Sequence, residues 1–153
     1  MKKILISDFS KVLLFPKDSD YKGGLNKLYD QILSGDENFN DYFELNESLL
    51  SELEELDVER YIFTMGKVQN APELKDKLKK VFKNIFNVPM IGYHKTDNKA
   101  YTTLCNEIGI DPAQAIFIDD TKENVVAARE AGLHAIVYEN NSQILRSIIE
   151  WLK

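Results

Sequence analysis

Short apolar runs rich in β-branched residues recur along the chain and alternate with stretches of helical periodicity. Residues 3–7, 61–64, 88–93, 115–118 and 135–138 have strand character. Five strands separated by helices predict a parallel sheet with right-handed crossovers and helices on both faces, a Rossmann-like α/β architecture. The helices are marked at their ends. Asn46 caps one whose Leu49, Leu50, Leu53 and Leu56 point inward, and Pro72 opens another carrying Leu74, Leu78, Val81 and Phe82. Tyr101, Leu104, Cys105 and Ile108 line a third that Gly109 stops. A fourth covers residues 125–131 and leaves through Gly132, and the last presents Ile144, Leu145, Ile148, Ile149 and Leu152 on one face.

Between Val12 and Leu45 the alternation breaks down, because Pro16, Gly23, Gly24, Gly35 and several Asp and Asn residues interrupt it. Residues 16–45 therefore read as a loop-rich insertion holding one short helix at 25–33, with Leu25, Leu28, Tyr29 and Ile32 as its apolar stripe. A segment this short cannot bury a core of its own, so one domain over residues 1–153 is expected. The insertion is expected to act as a small lid over the carboxyl edge of the sheet, with Tyr21, Tyr29, Phe39, Tyr42 and Phe43 packing it down and Gly23-Gly24 supplying flexibility.

Composition narrows the function. A length of 153 residues with 44% hydrophobic content suits one sizeable core. The net charge of −6, with Lys and Arg scattered among the acids, gives no basic stripe and argues against a nucleic-acid partner. No run reaches the roughly 18 apolar residues of a membrane span. The lone Cys105 excludes a disulfide framework, and the apolar run before Asp8 is too short for a signal peptide, so a cytoplasmic protein is expected.

In parallel α/β sheets ligands bind outside the carboxyl ends of the strands. The expected strands deliver Asp8, Thr64 with Met65-Gly66, Lys95, and the pair Asp119-Asp120 to those ends. These are the parts of a phosphoryl-transfer site. Asp8 and Asp120 can hold Mg2+, which favours oxygen ligands and is completed by water and substrate phosphate. With metal and Lys95 offsetting its charge, the Asp8 carboxylate can attack phosphorus, while Thr64, the amides of Met65 and Gly66, and Lys95 donate to the phosphate oxygens. Lys99 competes with Lys95 for this role, and Asn124 either orients the acidic loop or faces solvent. Cys105 reads as a small core residue, and His94 and His134 receive no role, since no His/Cys cluster supports zinc.

Four ordered motifs carry a resemblance to the haloacid dehalogenase superfamily: Ile4-Leu5-Ile6-Ser7-Asp8, Tyr61-Ile62-Phe63-Thr64, Lys95-Thr96-Asp97 followed by Tyr101, and Phe117-Ile118-Asp119-Asp120 followed by Asn124. The resemblance covers nearly the whole chain apart from the insertion, which would be a small or vestigial cap. It implies a magnesium-dependent phosphatase-like hydrolase of small phosphorylated molecules, with Asp8 as nucleophile forming an aspartyl phosphate. It also implies metal ligation by Asp8, the Ser10 carbonyl and Asp120, with Asp119 acting through water or from behind. Family phosphatases read Asp-x-Asp-Gly-Thr at the first motif, whereas this chain reads Asp8-Phe9-Ser10-Lys11-Val12. Ser10 thus stands where the resembling enzymes keep their general acid and base. The alternative is a non-catalytic or regulatory domain that retains the magnesium and phosphate pocket. A receiver-type signalling domain uses similar residues but places its acidic pair after the first strand; here the pair follows the fourth.

Overall fold

Strand β1 (Ile4–Ser7) is buried along its whole length, as a strand with helices on both sides must be. It lies at the centre of a five-stranded parallel sheet, flanked by β4 (Glu59–Thr64) and β6 (Ala115–Asp119), with β5 (Asn84–Asn87) and β7 (His134–Val137) at the edges. A two-stranded antiparallel ribbon, β2 (Leu14–Pro16) and β3 (Phe43–Leu45), stands apart from the sheet and brackets most of the insertion. A computed structural model describes residues 2–153.

Side-chain alternation sorts the sheet into two apolar layers. Leu5, Ile62, Ile116 and Ile118 face one layer, completed by α3 (Glu47–Glu54), α4 (Lys75–Val81) and α8 (Asn141–Leu152). Ile4, Ile6, Phe63, Ala115 and Phe117 face the other, completed by α6 (Asn98–Ile108) and α7 (Lys122–Glu130). Both faces are thus covered, as the sequence pattern predicts.

One strand falls elsewhere. Residues 88–93 do not form it; Val88–Ile91 is a short helix, α5, and the strand is Asn84–Asn87 just before it. Pro89 explains the difference, since it has no N–H to give a ladder but suits a helix's first turn. The Asn87 side chain completes the start by accepting from the Met90 amide (2.9 Å). Asparagines at both ends of a short edge strand hid it from an apolar-run criterion. The last helix also buries a narrower stripe than its pattern implies: Ile144 and Ile148 are inside, while Ile149 is 45% exposed. Helix α7 starts earlier than its apolar face, at Lys122, which brings Asn124 into its first turn.

Within the insertion lie α1 (Leu25–Leu33), with the expected stripe Leu25, Leu28, Tyr29 and Ile32 inward, and the single turn α2 (Phe39–Tyr42). Phe39 stacks on Phe43 (ring centres 4.6 Å apart) and meets Tyr29 edge-on (5.9 Å). These side chains join the same buried cluster as Leu5, Ile62 and Ile116 of the sheet. Leu25→Ala should therefore lower global stability by about 2–5 kcal/mol. Denaturant unfolding followed by both fluorescence and circular dichroism should show one transition moving as a unit; a separate early transition of the insertion would contradict this.

Candidate active site

Three elements deliver charge to one point at the carboxyl end of the sheet. Strand β1 runs straight into Asp8, whose amide donates to the Ile118 carbonyl (2.8 Å) and so fastens that end to β6. Strand β6 ends on Asp119, with Asp120 next. The third contributor, Lys95, sits in the turn between α5 and α6. Two devices aim it. The Asp97 side chain caps α6 through the Lys99 amide (2.9 Å), and the Tyr101 hydroxyl, one turn into that helix, donates to the Lys95 carbonyl (2.7 Å). The spacing of Lys95, Asp97 and Tyr101 thus has a mechanical reason. Lys99 itself is exposed, and the competition between the two lysines resolves in favour of Lys95 as the one brought to the acids.

The Lys95 ammonium lies 2.7 Å from Asp8 Oδ1 and 2.7 Å from Asp119 Oδ2, and all three side chains are almost wholly buried. It also rests 5.6 Å from the ring centre of Phe63 and 5.4 Å from that of Phe117. Asp119 is held from behind: its Oδ1 accepts from the Thr121 amide (2.8 Å) and its Oδ2 from Asn124 Nδ2 (3.1 Å). Asn124 is buried and orients the acidic loop; it does not face solvent. One oxygen from each of Asp8, Asp119 and Asp120 lies within 4.8 Å of the other two.

Charge is unbalanced here, with three carboxylates around one ammonium. Burial pushes the Asp8 carboxyl up to about 8, with Lys95 pulling it back and Asp119 and Asp120 adding to the rise. Burial and then Asp119 likewise raise Asp120. For Lys95, burial works against the charged form, but the attraction of Asp8 and Asp119 outweighs it and leaves the pKa above that of a free lysine. Lys95, with two acids at 2.7 Å, keeps its charge, and the site is left with an excess of acidic groups. A hard divalent cation among oxygen donors would relieve that excess, so the residues present fit Mg2+.

The remaining candidates have separate positions. Thr64 is buried at the carboxyl end of β4. The Met65 side chain, next along, is 47% exposed. Gly66 is pressed against the insertion: a Cβ there would stand 2.2 Å from the Asn26 side-chain amide. Ser10 lies in the tight turn after Asp8, where Lys11 takes a left-handed conformation (φ 63°), and its buried Oγ has no hydrogen-bond partner. Cys105 is a core thiol that burial pushes up to about 12. His94 bonds Thr96 on the surface, and His134 stacks on Trp151.

Sequence reasoning found the Asn46 cap but missed its second role, and it missed another support altogether. Asn46 caps α3, and its Nδ2 also donates to the Val12 carbonyl (2.9 Å) and to Asn141 Oδ1 (2.9 Å), tying the turn after Asp8 to α3 and α8. Asn26 of α1 is the other. A cleft of about 1000 Å3 lies beside the ribbon between Phe15, Asn46 and Tyr138 and contains none of the acidic cluster. Chemistry, not cavity size, locates the candidate site.

A family model for haloacid dehalogenase-like hydrolases matches residues 13–132. The chain belongs to this family. The matched segment begins just past Asp8 and Ser10, so the altered first motif lies outside it. Flavin mononucleotide hydrolase 1, a chloroplast protein of Arabidopsis thaliana, is 30% identical over 108 residues, covering 70% of this chain and 44% of the relative. Enolase-phosphatase E1 of Drosophila yakuba is 39% identical over 46 residues, covering 30% of this chain and 18% of that protein. The chain therefore spans less than half the length of these curated relatives. Among solved structures, a predicted HAD-like family hydrolase of Porphyromonas gingivalis superposes with a TM-score of 0.71 at 15% identity, covering 100% of this chain and 98% of the other. A HAD family enzyme of Bacteroides thetaiotaomicron, solved with magnesium and inorganic phosphate, gives 0.67 at 15% identity over 91% and 95%. At such identities the likeness concerns the fold. No helix among the described residues is long and apolar enough to cross a membrane.

The electrostatics give a prediction with a definite sign. In metal-free buffer folded Asp8 holds its proton well above the 3.8 of a free carboxyl, so between pH about 4 and about 8 the folded state binds a proton that the unfolded chain has released. Its contribution to stability must fall as pH rises through that window. Asp8→Asn removes the term, and its Tm should gain on wild type from pH 4 to pH 8. A constant Tm difference across the range would show that Asp8 is not perturbed.

Proposed function

We propose that this family member is a magnesium-dependent, phosphatase-like hydrolase of small phosphorylated molecules, working slowly through an aspartyl phosphate on Asp8. The observation that carries the proposal is the buried ammonium of Lys95 between Asp8 and Asp119, with Asp120 alongside, at the carboxyl end of the sheet. The relatives named for hydrolysing flavin mononucleotide and as an enolase-phosphatase support the substrate class. Asp8, the Ser10 carbonyl and Asp120 would hold Mg2+, with Asp119 behind them. When bound, the ion supplies positive charge against the substrate phosphate and the carboxylates.

Asp8 then attacks phosphorus with one carboxylate oxygen, the bond from phosphorus to the leaving oxygen breaks, and that oxygen takes a proton. Water next attacks the aspartyl phosphate and returns Asp8 with inorganic phosphate. Lys95, the Thr64 hydroxyl and the amides of Met65 and Gly66 are the donors to the phosphoryl oxygens. Ser10 is the weak point, since serine has no useful proton affinity near neutral pH and loss of a general acid–base costs about 10²- to 10⁴-fold. Its hydroxyl, buried without a partner, also favours a second reading: a regulatory domain that binds magnesium and phosphate without turning substrate over. Under either, residues 16–45 act as a minimal cap on a single domain, and a cytoplasmic setting suits the buried lone thiol of Cys105.

Calorimetric titration should find Mg2+ binding that Asp120→Ala weakens strongly, because the substitution removes a ligand and a charge together. Unchanged affinity in that variant would sink the metal assignment. Acetyl phosphate, a good leaving-group donor, should give a burst and then slow turnover, since water activation suffers more than attack on phosphorus. Ser10→Asp should speed the second phase about 10-fold or more. Rapid burst-free hydrolysis of alkyl phosphates by wild type, with no gain in Ser10→Asp, would mean that another residue moves the proton. Phosphate binding with no turnover in either protein, and none abolished by Asp8→Asn, would favour the regulatory domain.

A further inference from the structure

The loop after β4 is gripped from two sides by side chains that no family motif contains. On one side Asn26 Oδ1, on helix α1 of the insertion, accepts from the amides of Lys67 (2.8 Å) and Val68 (2.9 Å). Its side-chain amide fills the space beside Gly66, where the three atoms nearest a hypothetical Cβ all belong to Asn26, each at 2.2 Å. Gly66 has ordinary backbone angles, so its lack of a side chain answers to Asn26 and not to a strained turn. On the other side the buried Gln69 amide donates to the Gly66 carbonyl. Lys67 also pairs with Asp30 one turn along α1, but both partners are more than half exposed and the pair adds little.

We infer that Asn26 is a positioning residue for phosphate. By fixing the Lys67 and Val68 amides it holds the preceding peptides, Met65 and Gly66, in the orientation that presents their N–H groups to the substrate. The inference rests on the proposed phosphate-binding role of Thr64, Met65 and Gly66. It also gives the insertion a specific task. Helix α1 acts as a fixed brace on the binding loop, and the cap cannot swing away at this point without releasing two amide hydrogen bonds. Asn26 touches neither substrate nor reacting atoms; it acts through the backbone it holds.

Two measurements on the whole chain test this. Amide hydrogen exchange by NMR should show protection at Lys67 and Val68 falling about tenfold or more in Asn26→Ala and retained in Asn26→Asp, whose carboxylate keeps the acceptor. Calorimetric titration with inorganic phosphate in saturating Mg2+ should show affinity about tenfold weaker in Asn26→Ala, at a Tm within a few degrees of wild type. Gly66→Ala should weaken phosphate in the wild-type background but add little to Asn26→Ala, because the group it collides with is gone, making the pair less than additive. Phosphate affinity in Asn26→Ala within twofold of wild type overturns the inference, as does an equal effect of Gly66→Ala in both backgrounds. A parallel Thr64→Ala titration separates the two levels. If Thr64→Ala weakens phosphate and Asn26→Ala does not, the brace fails and the site stands; if neither does, both fail.

Discussion

One buried ammonium organises this molecule. Lys95 has almost no access to water, and its desolvation is offset only because Asp8 and Asp119 both lie at 2.7 Å and the rings of Phe63 and Phe117 present their faces. Those residues come from three strands, Asp8 at the end of β1, Phe63 on β4, and Phe117 and Asp119 on β6, while Lys95 lies in the turn before α6. The ion cluster therefore requires β1, β4, β6 and the start of α6 to meet in register, and a slip in any of them would strand a charge in the interior. Tyr101 shows how closely core and site are joined: its ring packs edge-on against Phe63 and Phe117 while its hydroxyl holds the Lys95 carbonyl. Packing and electrostatics here are two views of one set of side chains.

Under the proposed function the same cluster lets binding and turnover separate. In that reading a cation and a phosphate are attracted by Asp8, Asp119, Asp120, Lys95, the Thr64 hydroxyl and backbone groups, and none of these is the side chain at position 10. In the same reading proton transfer is the step that a serine at position 10 weakens. A serine there leaves the charge arrangement whole and removes only the group whose pKa suits it to move protons near neutral pH.

Much of this was legible in the residue order, and the reasons are physical. The buried parts of strands β1, β4 and β6 carry the apolar runs Ile4-Leu5-Ile6, Tyr61-Ile62-Phe63 and Ala115-Ile116-Phe117-Ile118, which lead into Asp8, Thr64 and Asp119. The stripe of α1 was equally plain, because a surface helix must bury one side. Strand β5 was not, since an edge strand between two asparagines carries only Ile85 and Phe86 as apolar signal, and the louder run after it contains Pro89. The ribbon β2–β3 is three residues on each side and too short to show alternation. Asn26 and the long-range bonds of Asn46 were invisible for a different reason: an amide that bonds backbone far along the chain leaves no local periodicity.

The order of the strands also bears on how the chain comes to be folded during synthesis. Ile4 lies opposite Ala115, and Ser7 opposite Ile118, so well over half of the described residues are made between the central strand β1 and its partner β6. At about 5–20 residues per second, the ribosome leaves β1 without β6 for several seconds. Closing so long a loop is slow, and until then a fully apolar strand has an open edge. Pairing with β4, which emerges about halfway, covers one edge early and brings the insertion's apolar stripe with it. The aromatic-rich segment between β1 and β4 is thus made before β6 and belongs to the same buried layer as Leu5 of the central strand.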